Sequence, residues 1–261
     1  MKKYYRKPHR YKKRKPILRK KFSALVFLSL VAAGAAFYGL FFWQGFWVEK
    51  ITISGEQKIA EEEINYLVEK NLENKILFLK TKSILKVDAG QIKTDILNAF
   101  PQIASAEVKK SFFDAINVQI TERTASALWC ENENCFLLDT EGVIFEEASL
   151  DSGLIIVETA QPPDELFLGQ AVIAEDKIAQ ILAIKDKLAE ASEISIKKAA
   201  LVSDERLDAE TTEGWTVRFN LKGDLDWQVT ELRLALEKQI SPEKRKSLEY
   251  IDLRFSRVYY K

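Results

Sequence analysis

Two residues are spaced as though to react with each other: Cys130 and Cys135, in WCENENCF. Four polar, turn-like residues separate them and apolar residues flank both, which reads as a hairpin with the cysteines facing across the strands. Neighbouring strands bring Cα atoms within disulfide range, and an oxidising compartment favours a bridge. A reducing compartment or a poor register leaves two free thiols. Zinc is not expected, because a structural site wants about four Cys/His ligands and the sole histidine is His9, at the far end of the chain. Histidine is also the commonest general base, and there is no G-x-S-x-G elbow, P-loop or G-x-G-x-x-G. Acid pairs such as Glu146-Glu147 read as solvated faces, although a carboxylate-only site assembled in space stays open. The inventory points away from an enzyme and from any metal, cofactor or small-molecule substrate.

What must position these residues begins with a charge asymmetry. Lysine plus arginine equals aspartate plus glutamate, 39 of each. Yet residues 1–21 hold 12 Lys/Arg and no acid, leaving a net of −12 on the rest. Residues 22–48 then carry no charge. A helix over residues 22–43 would span roughly 30 Å, the thickness of a bilayer's hydrocarbon core. Trp43 and Trp47 stand at its far end, where amphipathic rings favour the membrane interface. The transmembrane segment is assigned to residues 22–46 and the basic tail to residues 1–21. The tail keeps the N-terminus cytoplasmic and places residues 49–261 outside a single-pass cell membrane span. A cleaved signal peptide ending near Ala33-Gly34-Ala35 fits less well, because the apolar run continues past that point. Phosphate binding to nucleic acid would also suit the tail, but topology and attraction to anionic lipid explain it with fewer assumptions.

The outer chain reads as α+β. VEKITISG alternates and stops at Gly55. AEEEINYLVEKNL carries Ile64, Leu67, Val68 and Leu72 on one helical face. DAGQIKTDILNAFP is a second helix, striped by Ile92, Ile96 and Leu97 and stopped by Pro101. SAEVKK and AINVQITER follow as strands. The resulting β-α-α-β-β order closes a small domain over residues 47–123. Residues 124–261 are β-rich: ALWC, CFLLD and GVIFEE form a meander, GLIIVE another strand. A helix with Ile178, Ile181, Leu182 and Leu188 inward precedes EISIKKAALV and GWTVRFNL. A last helix carries Val229, Leu232, Leu236 and Ile240.

This arrangement resembles the FtsQ/DivIB family of bacterial cell-division proteins over essentially the whole chain. VEKITISG looks like the opening strand of a POTRA domain, and FPQIASAEVKKSFFDAINVQITER like its second half, closing on Glu122-Arg123. FLLDTEGVIFEEA resembles the β-domain's Leu-Asp-x-x-Gly-x-Val-Phe hairpin, and YIDLRFSRVYYK its terminal strand. Departures fall at Phe112-Phe113-Asp114 and Thr124-Ala125, where the family often has proline, and at Ser256-Arg257, where a glycine is common.

The resemblance implies a non-enzymatic scaffold at the division septum, with partners FtsB and FtsL captured on the terminal strand and linked to septal wall synthesis. By matching positions it puts partner binding on Phe255 and Tyr260, with Ser256 and Tyr259 beside them. The strand period alone places Ile251, Leu253 and Phe255 on one face, toward the core, and Tyr250, Asp252 and Arg254 on the other. Beyond Ser256 a bulge or tight turn is expected, since Tyr259 and Tyr260 fall on both faces. A fully buried last strand is the plainer reading of these aromatics, and an edge held open for an added strand the sharper one. The competing function is a membrane-anchored envelope protein whose β-domain binds peptidoglycan or another surface ligand.

Overall fold

The first helix shows how local sequence sets an element's limits. In the computed structural model, which describes residues 17–76, 79–111, 114–131 and 134–261, helix α1 runs over Ile17–Phe42. Residues 1–16 of the basic tail, with His9, and the Phe112-Phe113 pair lie outside the described residues, and residues 17–21 open α1. The segment Phe22–Phe42 is 21 residues long with a mean hydropathy of 2.2, long and apolar enough to cross a membrane. The expected helix over residues 22–43, within a segment drawn to residue 46, ends one residue earlier in the structure and begins earlier, at Ile17. Trp43 takes an extended backbone and Gln44–Phe46 form a single 3-10 turn.

Contacts divide the chain into two units. One comprises Met1–Thr52, Val68–Ala89 and Lys109–Asn117, and the other Ile53–Leu67, Gly90–Val108 and Val118–Lys261. Along the chain, β1 (Lys50–Ser54) leads to α2 (Glu61–Leu72). A short hairpin of β2 (Asn74–Ile76) and β3 (Leu79–Thr81) follows, then α3 (Ala89–Ala99), β4 (Ile103–Ser111) and β5 (Ala115–Glu122). The three-stranded sheet has the order β1-β5-β4. Ile116, Val118 and Ile120 are buried, as the alternation requires, and so are Ile64, Val68, Leu72, Ile92 and Ile96 of the helices. The β2–β3 hairpin was not expected; strands of three residues are too short to show a period.

The second sheet has nine strands in the order β14-β13-β12-β11-β10-β9-β6-β7-β8. Its meander is β6 (Ala127–Glu131), β7 (Asn134–Leu138) and β8 (Ile144–Ala148), and β9 (Ile156–Thr159) runs parallel to β6. Helix α4 (Glu175–Ser192) precedes β10 (Ile196–Ser203), β11 (Arg206–Thr211) and β12 (Thr216–Asn220). Helices α5 (Leu225–Lys238) and α6 (Pro242–Arg245) then precede β13 (Tyr250–Asp252) and β14 (Tyr259–Tyr260). Strand β11 also escaped the sequence reading. Its buried residues are Leu207, Ala209 and Thr211, and a small and a polar side chain weaken the alternation.

Register explains the core. Trp129, Val157, Ala199, Ala209, Val217 and Ile251 are successive cross-strand neighbours, so one row of one face runs through six strands. All are buried. They join one cluster with Ile178, Ile181, Ile184 and Leu188 of α4 and Val229, Leu232 and Ala235 of α5. The next row on the opposite face reads Glu158, Ala200, Asp208, Arg218, Asp252 and Tyr259. That face is polar and ion-paired.

In β6–β7 the register sets Cys130 opposite Cys135, and the two sulfurs are bonded. Glu146 and Glu147 are consecutive on β8 and so point to opposite faces rather than sharing a site. Among the described residues, no group of three or more His, Cys, Asp or Glu is placed to hold a metal ion.

Candidate functional site

Residues 249–261 do not form one strand. β13 ends at Asp252, the chain reverses through residues 253–258, and β14 returns antiparallel with Ile251 opposite Tyr260 and Asp252 opposite Tyr259. β13 is therefore an inner strand, flanked by β12 and β14, and β14 is the sheet edge.

The reversal is built by Asp252. Its carboxylate accepts the Arg254 backbone N–H at 3.1 Å, an Asx-type turn that ends the strand. It also accepts Arg254 Nε and Nη2 at 2.9 and 2.6 Å, a bidentate pair. Arg218 approaches from β12, with Nη1 at 3.9 Å from Asp252 and its guanidinium 3.8 Å from the Tyr250 ring centre. Burial pushes the Asp252 carboxyl up, but the Arg254 side-chain and backbone hydrogen bonds and the Arg254 and Arg218 charges outweigh it. The group is held below the ordinary carboxylate range. A pKa lowered by folding stabilises the fold fully above the unfolded value and stops doing so as pH falls through the folded one. Asp252→Ala should therefore cost about 2 kcal/mol near neutral pH. Its deficit relative to the parent should shrink on acidification in urea unfolding of the detergent-solubilised chain. A deficit that is the same in acid would show that the ionised pair is not its source.

The turn also corrects the expected face of Phe255. Ile251 and Leu253 are buried, as the strand period implies, but Phe255 is 53% exposed because the strand has already ended. Tyr259 and Tyr260 are 55% and 38% exposed, so three aromatics stand out at one corner of the sheet. Phe255 and Tyr259 meet edge to face with ring centres 5.7 Å apart, and Arg254 lies over Phe255. Ser256 is exposed in the reversal, and Val258 packs on the core.

Hydrogen-bond alternation decides what the edge presents. Lys261 N–H donates to Tyr250 O, and Tyr250 N–H to Lys261 O, so these residues form a bonded pair. In an antiparallel ladder the adjacent pair, Ile251–Tyr260, is then non-bonded, and the Tyr260 N–H and C=O point away from β13. The edge offers the Tyr260 N–H and C=O, with the Tyr260 side chain on the core side and Tyr259 on the polar side. The aromatics of this corner stand out in the sequence, whereas the parts of Asp252, Arg254 and Lys261 come from the fold. A carboxylate two residues before a basic residue at a strand end was the available signal.

The other family-like motifs hold the second unit together. The Glu122 carboxylate accepts the backbone N–H groups of Gln57, Lys58 and Ile59, which outweigh the upward push of burial and lower its pKa. Arg123 Nη1 donates to Asp139 and, at 2.9 Å, to Glu141 Oε2. Asp139 Oδ1 in turn accepts Glu141 N–H and Val143 N–H, both at 2.9 Å. Gly142 completes that turn at φ +79, and a Cβ there would lie 2.0 Å from Ile173 O, so no other residue fits.

Comparison with known proteins accords with these motifs. The family model of the FtsQ-type POTRA domain matches residues 46–123. That of the C-terminal part of cell division protein FtsQ/DivIB matches residues 127–254. Cell division protein FtsQ of Bradyrhizobium diazoefficiens is 29% identical over 102 residues, 39% of this chain and 27% of that protein. The match thus spans about a quarter of that relative's length. With the two family models covering adjoining segments in order, this chain belongs to the FtsQ/DivIB family of cell division proteins.

Proposed function

We propose that the chain is a non-enzymatic, single-pass scaffold of the division machinery that docks an FtsB-type partner, itself paired with an FtsL-type protein, on the open edge of β14. In this reading α1 is the membrane anchor and Glu49 onward lies outside the cell. The captured partner links the complex to septal wall synthesis. The observation that carries it is the unpaired side of β14, where the outward Tyr260 main chain lies among exposed Phe255, Tyr259 and Tyr260. Sheet edges are normally blunted by lysine, proline or a bulge. Here the two residues of β14 are tyrosines, with Lys261 following them in the ladder, and tyrosine supplies large contact area. An added strand would gain its affinity from main-chain hydrogen bonds and its specificity from the aromatic side chains.

The test is binding of the full chain, held in lipid nanodiscs, to the extracytoplasmic segment of the FtsB-type protein of the same organism. Phe255→Ala should cost about 2 kcal/mol, roughly thirtyfold, as an interface anchor does. Parent-like affinity in folded Phe255→Ala and Tyr260→Ala variants would move the partner site elsewhere. No binding by the parent would count against the partner assignment itself.

A further inference from the structure

The end of α1 is fastened rather than followed by a linker. The last carbonyls of a helix lack intrahelical partners, and an unpaired polar group at the edge of hydrocarbon is costly. Here the Thr81 hydroxyl donates to Phe41 O, and the Ser83 hydroxyl to Leu40 O at 3.2 Å. Both residues are buried. The main chain continues the seam. Val48 N–H donates to Lys82 O at 3.0 Å, Ile84 N–H to Phe46 O at 2.8 Å, and Trp47 bridges to Ser83. Residues 80–86 thus form a strap across the outer end of the apolar helix, bonded to its last two residues but one. One helical turn is about 5.4 Å, so the strap is bonded within the last turn of α1.

Its outward side chains suit a layer of lipid headgroups. Thr81 and Ser83 face inward, while Lys80, Lys82, Leu85 and Lys86 are exposed. Leu85 and Trp43 are large apolar side chains left open beside the helix end. Among the described residues, no carboxylate ion-pairs with Lys80, Lys82 or Lys86. Beyond α1, the first unit carries eight lysines against five carboxylates, on a chain whose residues 22–261 have a net charge of −12. Three of those lysines, Lys80, Lys82 and Lys86, lie on the strap bonded to the helix end.

We infer that residues 80–86 are a second membrane contact. Lys80, Lys82 and Lys86 bind phosphates of the lipid headgroups in the leaflet where α1 ends, and Leu85 and Trp43 enter the boundary with the acyl chains. The strap holds the first unit against that leaflet. Basic side chains with apolar neighbours are what an anionic headgroup layer selects. The inference rests on reading α1 as a membrane span.

The test uses the full chain in nanodiscs of phosphatidylcholine and phosphatidylglycerol with brominated acyl chains. Because Cys130 and Cys135 are bonded to each other, a fluorophore can be placed on Leu85→Cys, with Leu30→Cys in α1 as the reference. Bromine quenching is expected to be strong at Leu30 and clear at Leu85, and absent from both in lipid without bromine. Each lysine contributes about fivefold to association with anionic lipid. Lys80→Gln/Lys82→Gln/Lys86→Gln should therefore abolish most of the Leu85 quenching while leaving that at Leu30. Quenching at Leu30 with none at Leu85 overturns the strap alone. No quenching at Leu30 overturns the span, and the strap with it. Leu85 quenching indifferent to the lysines and to phosphatidylglycerol overturns the phosphate contact.

Discussion

Tyr260→Pro is expected to weaken docking of the FtsB-type segment on the order of a hundredfold while the protein stays folded. The expectation follows from the ladder's alternation. Tyr250 and Lys261 exchange hydrogen bonds, so the Tyr260 N–H points outward and β14 does not need it to pair with β13. Proline removes that donor and fixes an edge against strand addition. The residue before it, Tyr259, is already extended and tolerates a following proline. The loss combines an aromatic anchor, about 2 kcal/mol, with one main-chain hydrogen bond, about 1 kcal/mol. Titration calorimetry on parent and variant, with circular dichroism as the folding control, checks it. A folded Tyr260→Pro chain that binds like the parent would rule out strand addition at β14, even if Tyr260→Ala had weakened binding through its ring.

Arg123→Ala is expected to cost about 3 kcal/mol of stability, because it leaves a buried carboxylate without its cation. Asp139 is 4% exposed, and its only ion-pairing partner among the described residues is Arg123. The two backbone N–H groups that Asp139 accepts keep the figure at the low end of what breaking a buried pair costs. Arg123→Lys should recover only part of the loss, since an ammonium cannot serve Asp139, Glu141 and the Pro101 carbonyl with one planar fork. Chemical unfolding of the detergent-solubilised chain measures both. If Asp139→Ala combined with Arg123→Ala is as unstable as Arg123→Ala alone, the penalty comes from lost packing rather than from the stranded charge.

Much of this protein is written in local pattern. The uncharged run from residue 22 to 48 announces a membrane-length helix. The alternation of Ile116, Val118 and Ile120 announces a half-buried strand, and the stripe of Val229, Leu232, Leu236 and Ile240 a helix with one inward face. Burial follows the pattern at Ile116, Val118 and Ile120 and at Val229 and Leu232, with Leu236 half-buried and Ile240 buried past the end of α5, because the side-chain period of an element is a property of its own backbone. The aromatic cluster at residues 255–260 was equally visible as composition. Other features were not visible, and for one reason: they depend on which segment lies beside which. Periodicity shows that Ile251 and Leu253 face the core. It does not show that the chain turns back at Leu253, because the turn is made by a carboxylate held between Arg254 and Arg218, the latter 36 residues from Arg254 in sequence. The same holds for β11, which is a strand because β10 and β12 pair with it. It holds for the Thr81 and Ser83 hydroxyls, whose partners lie about forty residues away on α1. The sequence by itself determined a helix of membrane-spanning length, the faces of the elements and the presence of the terminal aromatics. Only the tertiary structure decided that β14 rather than β13 is the edge, because an edge is defined by the absence of a neighbour, and neighbours are set by long-range pairing.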